Sequence, residues 1–183
     1  MATFEETKAK LIVSAKLADA CKEGFTKLKE AKTWFDLCVI ARESFEWCID
    51  NDLLTPELMT EHCKDCNNAN LYCNENVTNG FVLVTGNSEI DVHGHCLVVA
   101  KDNSIVHAYD TSYVIAKDHA NIMCWDSTRV HAEGYALVTA YNHSVVDVEK
   151  GTSAAVEAFD SSIIFASEDT STTLNDSAKV IYE

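Results

Sequence analysis

An eight-residue period runs from residue 78 to residue 183, and it constrains the fold more than any other feature of the chain. Units begin at Thr78, Gly86, Gly94, Asp102, Asp110, Asp118, Asp126, Gly134 and Asn142. After a two-residue insertion, Lys150 and Gly151, they resume at Thr152, Asp160, Glu168 and Asp176, which makes thirteen octads. The fifth position is Val or Ile in twelve of the thirteen, from Val82 through Val106, Val114, Ile122 and Val130 to Val180, with Thr172 the exception. The third position is always small, as in Ser104, Ser112, Ala120, Thr128 and Ser144. The seventh is mostly Ala or Val, as in Ala100, Ala108, Ala116, Ala132 and Ala140. Positions three, five and seven alternate, so they share one face of a strand. The first position favours Asp, Gly and Asn, which form corners.

Each octad is therefore one short strand and one turn. Strands this short gain stability by stacking about 4.8 Å apart around a continuous narrow core. The fold class expected is α+β, with an N-terminal helical segment (residues 1–77) followed by a single β-solenoid (residues 78–183).

The outward positions indicate how many octads make a coil. Position eight reads His93, Tyr109, Trp125, Tyr141 and Phe159 in alternate units, against Thr85, Lys101, Lys117, Glu133 and Glu149 in the others. Positions four and six alternate in the opposite sense, with Leu97/Val99, Tyr113/Ile115 and Ile163/Phe165 apolar. That pattern favours two strands per 16-residue coil. The alternative is a three-sided, 24-residue coil, supported only by the spacing of His95, His119 and His143 and of His107 and His131.

Helical spacing of Ile12, Val13, Leu17, Cys21, Phe25 and Leu28 predicts a first helix over 3–31, and a second follows over 33–50. Thr55-Pro56-Glu57 reads as the start of a third, running to about Lys64. Residues 65–77 form the loop leading into the solenoid. These helices would cap the first coil. The outward residues Leu97, Val99, Tyr113, Ile115, Val145, Ile163 and Phe165 would form an apolar stripe too large to leave in water. A 29-residue helix, about 43 Å long, could cover a solenoid face about 30 Å tall. A second subunit in a homodimer is the other cover.

Of the 183 residues, 29 are acidic and 14 basic, giving a net charge of −15. Residues 78–183 account for 15 acidic and 5 basic side chains. Such a surface repels phosphates, which argues against direct binding of nucleic acid or membrane and for a basic protein partner. The first twenty residues carry charges throughout, so no secretory signal is expected, and no run reaches the length of a membrane span. Eight irregularly spaced cysteines suit reduced thiols in the cytoplasm.

His62, Cys63, Cys66 and Cys73 have a metal-like look, yet adjacent His62 and Cys63 would bend awkwardly to share one ion. Free thiols near a cap are the plainer reading, and no metal or other cofactor is expected. Asp102, Asp110, Asp118 and Asp126 lack the glycine-rich setting of calcium solenoids and read as turn formers or partner-binding acidic corners. Tyr109, Trp125, Tyr141 and Phe159 form an aromatic column that either stabilises neighbouring coils or serves as a binding platform. No catalytic constellation can be assembled. The long cleft-forming loop or Ile-Gly hexapeptide pattern of solenoid enzymes is lacking.

The run Asp102-Asn-Ser-Ile-Val-His-Ala-Tyr-Asp-Thr-Ser-Tyr-Val-Ile-Ala-Lys117 resembles the D-x-S-x-V-x-A-x repeats of small solenoid proteins from bacteriophages and mobile elements of gut bacteria. The resemblance covers residues 78–183 and carries no catalytic residues with it. A looser similarity of shape and charge links the chain to acidic pentapeptide-repeat solenoids that mimic DNA. The function expected is a phage-type inhibitory binding protein, not an enzyme. It would block a nucleic-acid-binding bacterial enzyme in the host cytoplasm, with an anti-CRISPR protein acting on a Cas nuclease as the concrete case. A self-assembling or virion-associated structural protein is the alternative.

Overall fold

A computed structural model describes residues 3–182. The chain divides into two compact units that meet between Tyr72 and Cys73.

Six helices make the first unit: α1 (Phe4–Leu17), α2 (Lys22–Glu30), α3 (Trp34–Glu43), α4 (Phe45–Asp50), α5 (Pro56–Glu61) and α6 (Cys63–Asn68). The first two helices expected from the sequence are thus each broken in two. The third ends at Glu61, and α6, β1 (Leu71–Cys73) and the first residue of a later strand occupy much of the segment 65–77 expected to be a loop. Asp19 breaks the first with a φ of 53°, and Cys21 then caps α2 through its sulfur on the Gly24 N–H. Ser44 (φ −133°, ψ 48°) leaves helical geometry and breaks the second, and His62 (φ −117°, ψ 34°) ends the third. Hydrophobic spacing continues across the first two breaks, which is why periodicity alone merged those pairs. Among the described residues no single 29-residue helix exists, so the expected long cover for the solenoid is overturned; α1 has 14 residues.

Side-chain caps mark the starts of α1, α2, α3 and α5. Thr3 with Glu6, and Thr33 with Asp36, form reciprocal capping boxes. Accepting the Lys32 N–H, together with the Thr33 contacts, lowers the Asp36 carboxyl below its usual range. Arg42 ties α3 to the end of α6 by donating to the Ala69 carbonyl at 3.2 Å. Among the described residues no helix is long and apolar enough to cross a membrane.

The second unit is a parallel-strand β-solenoid of about seven turns, preceded by a short strand, β1 (Leu71–Cys73), at the junction. It contains β2 (Val77–Val84), β3 (Glu89–Ala100), β4 (Ile105–Ala108), β5 (Tyr113–Ala116), β6 (Asn121–Cys124) and β7 (Arg129–Ala132). It continues through β8 (Leu137–Ala140), β9 (Val145–Val148), β10 (Ala155–Ala158), β11 (Ile163–Ala166), β12 (Ser171–Leu174) and β13 (Lys179–Tyr182). Two ladders diverge from the long strand β3, one through β4, β6, β8, β10 and β12 and the other through β5, β7, β9, β11 and β13. Paired residues lie sixteen apart, as in Val106↔Ile122 and Val114↔Val130. The offset widens to eighteen in Val138↔Val156 and Val146↔Ile164, where the Lys150-Gly151 insertion falls between the partners.

Positions three, five and seven form the core. Val106, Val114, Ile122, Ala108 and Ala116 have no solvent exposure, and neither do Ser104, Ser112 and Thr128. Small third-position residues let the walls approach, and their backbone closes each corner. The N–H of Thr128 donates to the Trp125 carbonyl at 3.2 Å, and its hydroxyl donates to the same carbonyl at 2.7 Å. Ser144 repeats the hydroxyl contact on Tyr141, and Ser162 on Phe159. Burying each Val or Ile contributes about 1.5–3 kcal/mol, which the repeat multiplies along the axis.

Candidate functional site

Seven solenoid corners carry Asp or Asn in the left-handed region: Asp102, Asp110, Asp118, Asp126, Asn142, Asp160 and Asp176 have φ between 54° and 61°. Asp and Asn tolerate this conformation because their short side chains hydrogen-bond locally. Here the bond reaches the neighbouring coil. Asp110 accepts the Gly94 N–H at 2.8 Å, Asp126 accepts from Asp110 at 3.2 Å, and Asn142 from Asp126 at 3.1 Å. Asp160 accepts from Asn142 at 2.9 Å and Asp176 from Asp160 at 3.4 Å. A second column links Gly86, Asp102 and Asp118 in the same way. The four predicted acidic corners are therefore not one set. Asp110 and Asp126 belong to one column, and Asp102 and Asp118 to the other.

The expected aromatic column is continuous. Tyr109 and Trp125 stack with ring centroids 4.8 Å apart, Trp125 and Tyr141 at 5.4 Å, and Tyr141 and Phe159 at 5.0 Å. His93 extends the stack on Tyr109 at 4.5 Å. All the interplanar angles in this column are 12° or less. Coils that repeat in register place equivalent rings one above another, and the rings are half-buried.

Each ring directly precedes a residue of the longer corner column: Tyr109-Asp110, Trp125-Asp126, Tyr141-Asn142 and Phe159-Asp160. An aromatic strip and an acidic strip thus run side by side along one edge. The other corner column has Lys101 and Lys117 in the equivalent place. This difference singles out the aromatic edge as the candidate site. The carboxylate there is held by a backbone N–H through one oxygen, and the corner side chains are exposed. The edge can accept cationic side chains, with carboxylates for charge and ring faces for cation–π contact.

The expected apolar stripe is interrupted. Strand pairing sets Arg129 between Tyr113 and Val145, and sets His131 and Asp147 between Ile115 and Phe165. Val99 and Ile115 are buried; Leu97, Val145, Ile163 and Phe165 are half-buried, and Tyr113 is exposed. Among the described residues no continuous exposed stripe exists, because two successive coils place Arg129, His131 and Asp147 in it.

Histidines occupy outward positions next to acids or rings. His107 Nδ1 lies 3.1 Å from Asp91 and its ring meets Trp125 edge-on. His131 contacts Asp147 at 3.2 Å and Glu133 at 3.5 Å. His95 pairs with Thr111, and His119 stacks on Tyr135 at 5.1 Å. His107 and His131 sit in different ladders, β4 and β7.

Of the metal-like residues, Cys66 is buried and faces Cys38, with the sulfurs 3.3 Å apart, while Cys63 is exposed. Among the described residues no group of three or more His, Cys, Asp or Glu is arranged to hold a metal ion. The Cys38–Cys66 pair and the carboxylate ladder were both missed by sequence reasoning. The replacement of Asp by Asn at position 142 was the available signal for the ladder, since both residues can accept through a side-chain oxygen. No protein-family model, curated protein or solved structure matches the chain.

Proposed function

We propose that residues 78–183, read as thirteen octads wound two per 16-residue coil, form an acidic binding rod of phage type. It occupies a basic, nucleic-acid-binding surface of a bacterial enzyme in the host cytoplasm, with a Cas nuclease as the concrete target. The sixteen-residue pairing offset supports the two-per-coil reading. The observation that carries the functional reading is the edge where Tyr109, Trp125, Tyr141 and Phe159 adjoin Asp110, Asp126 and Asp160. Carboxylates locked by backbone N–H groups lose little freedom on binding, so a basic partner meets a preorganised row of charge. Surfaces evolved for phosphates present the Arg and Lys side chains this edge can take. The role is binding rather than catalysis.

The test uses the full chain as bait in bacterial lysate at about 50 and 200 mM salt. The expected result is a nucleic-acid enzyme retained at low salt, released at high salt and displaced by competitor DNA. Failure to retain any such enzyme at low salt overturns the proposal.

The alternative, a self-assembling structural protein, draws on the exposed Leu174, Ile181 and Tyr182 and the half-buried Val145, Ile163 and Phe165. A homodimer through these residues is compatible with the inhibitor reading as well. Light scattering that detects only monomer or a closed dimer at high concentration rules out open assembly.

A further inference from the structure

Two of the eight free thiols face each other inside the helical unit. The Cys38 and Cys66 sulfurs lie 3.3 Å apart, although 28 residues separate them in sequence. Cys38 comes from α3 and Cys66 from α6, and Arg42 of α3 also reaches the end of α6 through the Ala69 carbonyl. A disulfide needs its sulfurs about 2.05 Å apart. A modest rotation about one Cα–Cβ bond moves a thiol sulfur far enough to close that gap. Among the described residues no third His, Cys, Asp or Glu is arranged to complete a metal site with the pair. A bond between the two sulfurs is therefore the chemistry the pair has at hand. It would also support α6, a six-residue helix that starts without a side-chain cap.

The two thiols are not equivalent. The hydrogen bond from Cys66 lowers the Cys38 thiol below its usual range, and that bond together with burial raises Cys66. Thiolate character makes Cys38 the sulfur that reacts first and Cys66 the one that resolves. Both residues are buried, yet both line a cavity of about 270 Å³ that is partly open to solvent. A water molecule needs only about 10–15 Å³ of such space. An oxidant as small as hydrogen peroxide therefore has a route to Cys38. None of the lining residues is Asp, Glu, Lys or Arg, so a neutral oxidant enters more readily than a charged one such as glutathione disulfide.

We propose that Cys38 and Cys66 are a peroxide-sensitive modification site, closing into a reversible disulfide when hydrogen peroxide is present. The Cys38 thiolate attacks one peroxide oxygen and the O–O bond breaks. Cys38 becomes a sulfenic acid, and the departing hydroxide takes up the proton the thiol released, as water. The Cys66 sulfur then attacks the Cys38 sulfur and the S–O bond breaks. Hydroxide leaves with the Cys66 proton as a second water. The sulfur pair loses two electrons and the peroxide gains them. A dithiol reverses the bond by thiol–disulfide exchange, and in a reducing cytoplasm such bonds are transient. This chemistry does not depend on the function assigned to the acidic edge.

The experiment treats the folded full chain with equimolar hydrogen peroxide, quenches it in denaturant with an alkylating agent, and digests it without reductant. The expected result is a fall from eight free thiols to six, one cross-linked peptide pair joining Cys38 to Cys66, and a return to eight with dithiothreitol. The oxidised chain should also unfold at a higher urea concentration than the reduced one. Dimedone, which traps sulfenic acid, should label Cys38 in Cys66→Ser and leave Cys66 unlabelled in Cys38→Ser. If either variant fails to fold, the double variant Cys21→Ser, Cys63→Ser removes the two exposed thiols instead and should still form the cross-link at the wild-type rate. The proposal is overturned if the folded chain keeps all eight thiols, if thiols are lost only once the chain is denatured, or if the cross-link joins other cysteines. Dimedone labelling of Cys66 in Cys38→Ser would overturn the assigned order of attack.

Discussion

The Asp126 carboxylate accepts the backbone N–H of Asp110 at 3.2 Å, and Asn142 makes the same contact on Asp126 at 3.1 Å. One side chain thereby does two things. It tolerates the left-handed corner at φ 59°, and it ties its coil to the preceding one. Asp126→Ala removes both and should cost about 1–3 kcal/mol. Asp126→Asn keeps an acceptor oxygen and should stay within about 0.5 kcal/mol of wild type. Gly at this site keeps the backbone freedom and loses the bond, so it should fall between them. Urea midpoints at constant m-value measure the order; an Asn variant as unstable as Ala would contradict the ladder.

Gly94 and Gly86 offer a sharper contrast. Both have positive φ, 65° and 69°, but a Cβ on Gly94 would lie 2.3 Å from the Thr78 carbonyl oxygen, whereas nothing lies within 4 Å at Gly86. Gly86→Ala should cost only the backbone strain, about 1–2 kcal/mol. Gly94→Ala must also displace main chain, and we expect at least about 2 kcal/mol more. Thermal unfolding of the two variants side by side checks the difference.

Trp125 sits at the centre of the ring column, between Tyr109 and Tyr141, with His107 at its edge. Replacing it with Ala removes two stacks and a half-buried indole, for a loss of about 2–4 kcal/mol. Trp125→Phe should keep most of the stacking and cost less than about 1.5 kcal/mol. A near-UV circular dichroism band lost in the Ala variant and retained in Phe would trace the signal to the stack.

The solenoid was legible because its physics repeats. A β-branched residue at every fifth position and a small one at every third, such as Val114 with Ser112, admit few arrangements other than a narrow stacked core. The stack from Tyr109 to Phe159 could be read for the same reason. The helical unit could not be read as well, because its breaks depend on single backbone angles. Asp19, Ser44 and His62 interrupt helices without interrupting the hydrophobic pattern. The apolar stripe failed for a different reason. Tyr113 and Val145 are both apolar and outward, but Arg129 lies between them, which appears only when strands are set in register.

Buried thiols give a pH dependence. Burial pushes Cys124 up to about 12 and Cys48 and Cys96 to about 11, against 9.0 for an ordinary thiol. Above pH 9 the unfolded chain releases these protons and the folded chain retains them, so unfolding is favoured as pH rises. Cys124, fully buried in the solenoid core, should alone contribute a loss of up to about 1.4 kcal/mol per pH unit between pH 9 and 12. Cys124→Ala should flatten that slope in denaturation curves. The hydrogen bond between Cys38 and Cys66 favours a single thiolate in the pair, lowering Cys38 and holding the proton on Cys66. Iodoacetamide labelling of the folded chain should therefore mark the exposed Cys21 and Cys63 first, then Cys38, with Cys124 unmodified until unfolding.

The binding account rests most directly on the aromatic edge, and one comparison isolates it. Asp110, Asp126, Asp160 and Asp176 can all be changed to Asn, the residue that position 142 already carries, so the ladder keeps its acceptors while four charges disappear. Lysate capture with this variant, beside a variant with Asp102 and Asp118 changed to Asn on the other column, measures which edge binds. The account predicts that the four-Asn variant loses its low-salt nucleic-acid enzyme while the two-Asn variant keeps it. Full retention by the four-Asn variant, with an unchanged urea midpoint, would contradict it.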